Sequence, residues 1–210
     1  MADDLVFYTN PMSRGRVVRW MLEEIGQPYR TEILGYDASM KSPEYLAINP
    51  MGKVPAIKHG DVVVTEGAAI CAYLADAFPQ AGLAPPLAQR GDYYRWLFFA
   101  AGPFEAATTN KMMQFDVPAE RARAMGYGTL ADTLNAVEIA VTRHDYVAGD
   151  RFTAADVYFG SQIGWNMMQF GSIEKRPAFE RYWERVSERP AAVRAREIDD
   201  SLIAQAQASG

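Results

Sequence analysis

Residues 54–78 read VPAIKHGDVVVTEGAAICAYLADAF, a pattern that predicts two short strands followed by a helix. The strands are the apolar runs at 55–58 and 61–64, which Gly60–Asp61 joins as a turn,. The residues from 67 onward then bring an apolar side chain back to one face at every fourth position, which is the spacing of a helix,. This stretch therefore predicts a hairpin that runs directly into a helix.

The residues before this hairpin predict a strand, a helix, a second strand and a short helix, in that order. The predicted elements are a strand at 4–8, a helix at 14–25, a strand at 29–33 and a helix within KSPEYLAINP at 41–50. Gly26 is a helix-ending residue, and Ser42 before Pro43 is a helix cap,. The first eighty residues thus predict the order β-α-β-α-β-β-α.

A change of composition follows at residues 78–89, FPQAGLAPPLAQ, where prolines replace any periodic pattern and predict a linker,. The remaining chain predicts only helices. They lie at 88–115 with a kink at Gly102–Pro103, at 119–143, after the capping pair Thr153 and Asp156, at 177–188 and at about 190–205,. The whole chain is therefore predicted to be an α/β domain followed by an all-α domain.

Composition excludes several classes of function. The 26 acidic and 21 basic residues give a formal charge of −5, which argues against nucleic acid as a partner,. No apolar run is long enough to predict a membrane span, and the first residues lack the layout of a signal peptide,. A single cysteine excludes an internal disulfide, and the two histidines have no metal-ligand spacing,. We expect a cytoplasmic protein without a metal site.

Four features together resemble the glutathione transferase family. They are the order βαβαββα and the segments NPMGKVPAI (49–57), TEGAAICAYLADAFP (65–79) and RFTAADVYFG (151–160). The resemblance implies a thioredoxin-like glutathione-binding domain at 1–79 and an all-helical domain at 88–210. It also implies glutathione as co-substrate, a small hydrophobic electrophile as second substrate, and a homodimer.

The resemblance implies a site for glutathione on the first domain. The Val54–Pro55 bond would be cis, and the Val54 backbone would pair with the extended tripeptide as an added strand does. The Glu66 carboxylate and the helix start at Gly67 would hold the γ-glutamyl group. The family usually has serine where Gly67 stands, so we expect weaker binding. Lys53 and Lys41 are candidates for the glycine carboxylate, although either could be an ordinary surface charge.

Three residues are candidates to donate a hydrogen bond to the glutathione thiol. Ser13 lies at a helix start, where the serine-using and cysteine-using relatives carry their catalytic side chain, and it could also be a simple cap. Tyr8 ends the first strand, as in tyrosine-using relatives, and could instead be a core aromatic. Asn10 could donate through its amide. Cys71 lies within a helix and is expected to be a small buried residue,.

The second substrate would bind against Met12 of the first domain and against Phe104 and Met112 of the second, although each of these side chains could belong to the core,. Three functions stay open at this point. The chain could be a glutathione S-transferase, a glutathione-dependent isomerase or dehalogenase, or a non-catalytic glutathione-binding or regulatory module. The glycine at 67 favours the third mildly, whereas Glu66, Val54–Pro55 and the hydroxyl of Ser13 favour the first.

Overall fold

The structure, a computed structural model, describes residues 4–36 and 38–208, which form two compact units. The first unit contains the chain up to Ala81 together with the chain from Glu188 onward, and residues 82–187 form the second. The first unit is therefore built from two separate stretches of sequence.

Four strands form the sheet of the first unit: β1 (Leu5–Thr9), β2 (Arg30–Ile33), β3 (Ala56–His59) and β4 (Val62–Thr65). Their spatial order is β2-β1-β3-β4, with β1 parallel to β2 and the other two pairs antiparallel. Gly60 in the hairpin has a φ of 58°, a conformation that glycine adopts without steric cost,. The predicted strands are confirmed to within one residue at each end.

Three helices alternate with these strands as predicted: α1 (Gly15–Ile25), α2 (Pro43–Leu46) and α3 (Gly67–Ala77). The amide of Gly26 closes α1 by donating to the Leu22 carbonyl at 3.1 Å,. Ser42 caps α2, since its hydroxyl accepts from the Tyr45 amide at 3.3 Å,. Sheet and helices together give the predicted thioredoxin-like arrangement.

The core of the first unit lies where α1 and α3 pack together and against the sheet. Its fully buried apolar side chains include Phe7, Val18, Leu22, Ile57, Ile70 and Leu74. Burying each side chain of this kind stabilises the fold by roughly 1.5–3 kcal/mol. A Cβ at Gly15 would collide with the hydroxyl oxygen of Thr9, so only glycine allows α1 to begin this close to the end of β1.

The last helix, α9 (Pro190–Ala208), also belongs to the first unit, where it packs against α1. Its buried residues are Ala191, Ala192, Ala195 and Asp199, and their small side chains allow a close approach. The sequence-based boundaries at 1–79 and 88–210 assign this helix to the second domain. The compact units differ from those boundaries because α9 and Arg189, the residue directly before it, form ion pairs with α1.

Within the described residues the second unit is largely helical. Its α-helices are α4 (Gly91–Phe99), α5 (Glu105–Met112), α6 (Leu130–Arg143), α7 (Ala154–Gly164) and α8 (Pro177–Ser187). A π-helical stretch, Ala100–Phe104, joins α4 to α5 and contains Pro103. This is the predicted kink, and it follows from the missing N–H of proline.

The prediction of one continuous helix over 119–143 is wrong. Residues Ala119–Ala124 form a 3₁₀ segment, and α6 begins only at Leu130. Gly128 between them has a φ of 65°, which an α-helix cannot contain,. Thr129 then caps α6, because its hydroxyl accepts from the Asp132 amide at 3.1 Å,.

The predicted cap at Thr153 and Asp156 is confirmed. The Asp156 carboxylate accepts from the Thr153 amide at 2.9 Å and from the Thr153 hydroxyl at 3.0 Å. It also accepts from the Val147 amide at 2.8 Å and from the Tyr182 hydroxyl at 2.9 Å. Asp156 is completely buried, and this burial raises its pKa to about 6 despite the four donors,. The Asp156 carboxylate thus links three parts of the second unit: the turn at Val147, the start of α7, and Tyr182 on α8.

Candidate functional site

Three chain segments meet at one end of the sheet of the first unit. In the strand register Tyr8 lies opposite Ala56, and Ala56 lies opposite Thr65, so the three residues form a row across β1, β3 and β4. Neighbouring strands are about 4.8 Å apart. Because Pro55 precedes Ala56 and Glu66 follows Thr65, both lie at this end of the sheet, as does the loop that leaves β1. The strand register therefore places Pro55, Glu66 and the loop that begins at Asn10 at the same end of the sheet.

The loop that leaves β1, residues 10–13, is shaped by the side chain of Asn10. Its amide nitrogen donates to the Leu34 carbonyl at 2.8 Å, and its amide oxygen accepts from the Met12 amide at 2.9 Å. Asn10 is buried, and both ends of its amide hold the loop in place. The geometry thus gives Asn10 a shaping role in the loop.

Ser13 ends this loop at the N-terminus of α1 and is half-buried. Its hydroxyl donates to the Asn10 carbonyl at 2.7 Å and accepts from the Gly15 amide at 2.9 Å. A ligand at this helix start would meet N–H groups that lack intrahelical acceptors, together with the partial positive charge of the helix end. For its hydroxyl to donate to such a ligand, Ser13 has to release the Asn10 carbonyl.

Tyr8 is the other candidate hydroxyl, and it lies against the loop that precedes β3. It packs with Val54 against a small cluster of Met40, Tyr45 and Ala56, and its ring centroid is 5.6 Å from that of Tyr45. Its hydroxyl forms no hydrogen bond within the described part of the chain. The Tyr8 ring is therefore partly buried as a core aromatic, while its hydroxyl is free to donate a hydrogen bond to a ligand.

The loop before β3 is held by two side chains from the 45–49 region. The Lys53 carbonyl accepts from the Tyr45 hydroxyl at 2.6 Å and from the Asn49 amide nitrogen at 2.7 Å. The Val54–Pro55 bond is cis, as the resemblance implied. Among the residues that the structure describes, none forms a hydrogen bond with the N–H or C=O of Val54. These two groups are thus available to an extended peptide.

Glu66 is the residue before α3, and its backbone is strained. Its φ of 66° and ψ of 118° form a combination that a residue with a side chain rarely adopts, at a cost of about 1–3 kcal/mol,. The side chain is exposed and makes no capping hydrogen bond. The first turn of α3 contains no acidic residue. A free carboxylate thus stands beside a helix start whose N–H groups are open to an anion.

The two candidate lysines differ in their surroundings. The Lys41 ammonium donates to the Met51 carbonyl at 2.8 Å, so it braces the same loop. Lys53 is exposed, and within residues 4–36 and 38–208 its side chain has no partner. Of the two, Lys53 is the one with its charge free for a ligand.

The residues predicted to contact the second substrate lie in both units and differ in exposure. Met12 is 65% exposed and Met112 is 45% exposed, so each offers apolar surface to a ligand. Phe104 is completely buried, with its ring 6.1 Å from that of Phe159, and offers no exposed surface. Its assignment as a substrate contact thus has less support from the geometry than the other two.

Three further features concern the part of the chain that the structure describes. Cys71 is completely buried, and burial raises the pKa of its thiol. In residues 4–36 and 38–208, no three His, Cys, Asp or Glu side chains are grouped as metal ligands would be. Over the same residues, none of the helices combines the length and apolarity needed to cross a membrane.

No role in the site was predicted for Tyr45 or Asn49, the two residues that hold the Lys53 carbonyl. Asn49 begins the NPMGKVPAI segment, so its place in that segment could have indicated a role in shaping the loop before β3. Tyr45 lies in a segment that was predicted only to be a short helix. Its hydrogen bond to the Lys53 carbonyl depends on how α2 packs against the loop before β3.

Comparisons with known proteins agree with these observations. Two sequence-family models match the chain: "Glutathione S-transferase, N-terminal domain" over residues 12–77 and "Glutathione S-transferase, C-terminal domain" over residues 107–190. Glutathione S-transferase 3 of Zea mays is 30% identical over 203 residues, covering 89% of this chain and 90% of the relative. Glutathione S-transferase GstA of Escherichia coli O157:H7 is 30% identical over 165 residues, covering 77% and 78%.

Solved structures of the same kind superpose on the chain. A glutathione transferase from Methylococcus capsulatus has a TM-score of 0.77 at 28% identity and covers 93% of this chain and 98% of its own. A glutathione S-transferase from Xylella fastidiosa has a TM-score of 0.75 at 26% identity, with the same coverage. The likeness therefore extends over both compact units.

Proposed function

The chain belongs to the glutathione S-transferase family, and on that premise we propose that it is an enzyme that joins the thiol of glutathione to a small hydrophobic electrophile. The main support for the proposal is that three groups lie at the same end of the sheet. They are the unpaired backbone of Val54, the free carboxylate of Glu66 at the start of α3, and the hydroxyl of Ser13 at the start of α1.

Each part of glutathione has a complementary group here. The cysteine residue of the tripeptide pairs with the N–H and C=O of Val54 as an added strand would. The ammonium of the γ-glutamyl group pairs with the Glu66 carboxylate, and its carboxylate receives the N–H groups at the start of α3. The glycine carboxylate lies within reach of Lys53, whose charge is otherwise free.

Ser13 activates the thiol by donating a hydrogen bond to the sulfur, which stabilises the thiolate, and the thiol proton passes to water. A free thiol has a pKa of about 8.5, and lowering it by two units requires roughly 2.7 kcal/mol of preferential stabilisation of the thiolate. A hydrogen bond to a charged acceptor supplies about 1.5–3 kcal/mol, and the helix end adds about 0.3–1 kcal/mol. The thiolate then attacks the electrophilic carbon, a carbon–sulfur bond forms, and the leaving group departs with its electron pair.

Three measurements test this proposal. Calorimetry should show glutathione binding to the wild-type protein, and the ultraviolet absorbance of bound thiolate should give a pKa well below 8.5. Turnover of an aryl halide with glutathione tests the transfer itself. If glutathione binds but none of the electrophiles tried is turned over, the non-catalytic alternative replaces this proposal.

Two variants, compared with each other, show which hydroxyl donates a hydrogen bond to the glutathione sulfur. Ser13→Ala removes the hydroxyl and should raise the pKa of the bound thiol by about one to two units, with a fall in turnover of about ten- to a hundredfold at neutral pH. Tyr8→Phe is the matched control, since it removes a hydroxyl from the same sheet end and keeps the ring. The opposite result, in which only Tyr8→Phe shifts the thiol pKa, would assign the role to Tyr8.

In the same proposal, Met12 and Met112 offer apolar surface to the electrophile. The protein is also proposed to form a homodimer and to be located in the cytoplasm. Flexible and polarisable methionine side chains adapt to apolar ligands of different shape. Sedimentation equilibrium tests the dimer, and a monomer at micromolar concentration would contradict that part of the proposal.

A further inference from the structure

Three ion pairs join α9 to α1 within the first unit, and a fourth joins α1 to Arg189, the residue directly before α9. They are Arg16–Asp200 at 2.6 Å, Arg19–Asp199 at 3.2 Å, Glu23–Arg194 at 3.3 Å and Glu24–Arg189 at 2.7 Å. Residue numbers rise along α1 as they fall along α9, so the two helices run antiparallel. Pairs at four levels fix the position of α9 along α1.

The pair at the centre of this seam is buried. The Arg19 and Asp199 side chains are 2% and 1% exposed. Arg19 also donates to the Tyr29 hydroxyl at 3.1 Å and to the Thr31 hydroxyl at 2.9 Å. A buried ion pair adds little net stability, but it tolerates few alternative arrangements, because a misplaced partner would leave a buried charge unpaired. Since Asp200 directly follows Asp199, this pair also fixes where Asp200 lies.

Asp200 pairs with an arginine that also reaches the candidate site. One terminal nitrogen of Arg16 donates to the Asp200 carboxylate at 2.6 Å, and the other donates to the Pro11 carbonyl at 3.4 Å. Pro11 belongs to the loop of residues 10–13, and Arg16 lies three residues after Ser13. A single side chain therefore links the C-terminal helix to the loop that carries the proposed thiol donor.

We infer that Asp200 is a positioning residue for this site, acting through Arg16 to hold the loop of residues 10–13. The inference rests on the proposed function, since the loop matters for catalysis only if Ser13 serves the glutathione thiol. Without Asp200, the arginine loses its fixed partner and turns toward solvent. The Pro11 carbonyl then loses its donor, and Ser13 is held less firmly in the orientation that its hydroxyl needs.

The variant Asp200→Asn tests this at little risk to the fold, since the Asp200 side chain is 57% exposed. Arg194→Gln is the matched control, because it breaks another exposed ion pair of α9, with Glu23, at the end of α1 away from the loop. Without glutathione present, hydrogen exchange at the amides of Met12 and Ser13 should be about fivefold faster in Asp200→Asn, whereas Arg194→Gln should stay within about twofold of wild type.

The kinetic readout separates positioning from simple electrostatics. Removing a negative charge would by itself favour the thiolate and lower the pKa of bound glutathione. Loss of positioning has the opposite effect, so Asp200→Asn should raise that pKa and reduce turnover at pH 7 by about three- to tenfold, with the KM for the electrophile unchanged. A lowered thiol pKa with unchanged loop exchange would overturn the inference.

The double variant Arg16→Asp with Asp200→Arg separates positioning from helix docking. It keeps an ion pair between α1 and α9, but a carboxylate at position 16 has no proton to donate to the Pro11 carbonyl. Loop exchange and turnover should therefore remain as altered as in Asp200→Asn. Recovery to wild-type values would show that only docking matters. If wild-type protein fails to bind glutathione, the proposed function fails, and the exchange data alone then decide whether Asp200 holds the loop.

Discussion

Position 67 shows how one missing hydroxyl can set the strength of ligand binding. Gly67 is the first residue of α3 and follows the strained Glu66. In the proposed function its backbone N–H would receive the γ-glutamyl carboxylate, but Gly67 lacks the hydroxyl that serine would add at this position. A hydrogen bond from a hydroxyl to a charged acceptor is worth about 1.5 kcal/mol or more.

We therefore expect Gly67→Ser to bind glutathione about tenfold more tightly than the wild-type protein, or better, because it restores this donor. Isothermal titration calorimetry measures the change. Gly67→Ala is the matched control, since it adds the Cβ without the hydroxyl and should leave the affinity close to that of wild type. Equal affinities for the serine and alanine variants would show that no carboxylate lies at this helix start.

At the scale of elements, the sequence predicted well what neighbouring residues determine. Gly26 ends α1, Ser42 starts α2 and Thr153 starts α7, because each cap depends on residues within one turn of it,. The helix predicted over residues 119–129 was wrong, although the signals against it are also local. Its alanines, arginines and glutamate favour helix, but Gly126 and Gly128 interrupt any helix before α6 begins at Leu130,.

The candidate site was predictable to a similar degree. Val54, Glu66 and Ser13 could be named because they lie in recognisable local segments. Two hydrogen bonds could not be predicted: the one from the Tyr45 hydroxyl to the Lys53 carbonyl and the one from the Asn10 amide to the Leu34 carbonyl. Each joins segments that meet only in the folded protein. Long-range contacts of this kind leave no periodic trace in the sequence, so they follow from the structure alone.

The cap of α7 gives a prediction for pH. Burial raises the pKa of Asp156 from its ordinary 3.8 to about 6, so the folded protein binds this proton more readily than the unfolded chain,. The stability that comes from this protonation is complete below pH 3.8 and is lost as the pH rises through 6,. Between pH 7 and pH 5 the wild-type protein should gain about 1 kcal/mol from this group.

The variant Asp156→Asn isolates this contribution, because its amide does not titrate while the other ionisable groups are shared. The free energy of unfolding, measured in urea at pH 7 and at pH 5, should show the wild-type advantage growing by about 1 kcal/mol at the lower pH. A difference that stays constant over this range would show that the four donors keep the carboxylate ionised down to pH 5.

At the scale of the whole molecule, the first unit is discontinuous in sequence. The chain up to Ala81 supplies the sheet and three helices, and the chain from Glu188 onward supplies α9. A fragment that ends at residue 81 contains every residue proposed to bind glutathione, yet it lacks α9. Its folding therefore tests whether the last helix is part of the glutathione-binding unit.

We expect the fragment of residues 1–81 to be largely unfolded by near-ultraviolet circular dichroism at 25 °C. It would leave Arg19 without Asp199 and would expose the apolar side chains of α1 that α9 covers, each worth roughly 1.5–3 kcal/mol when fully buried,. Their combined loss is a large share of the 5–15 kcal/mol that stabilises a typical domain. Adding a peptide of residues 188–210 in trans should restore the folded signal, and the same peptide with Asp199→Leu should not. A fragment that folds and binds glutathione without α9 would contradict this view.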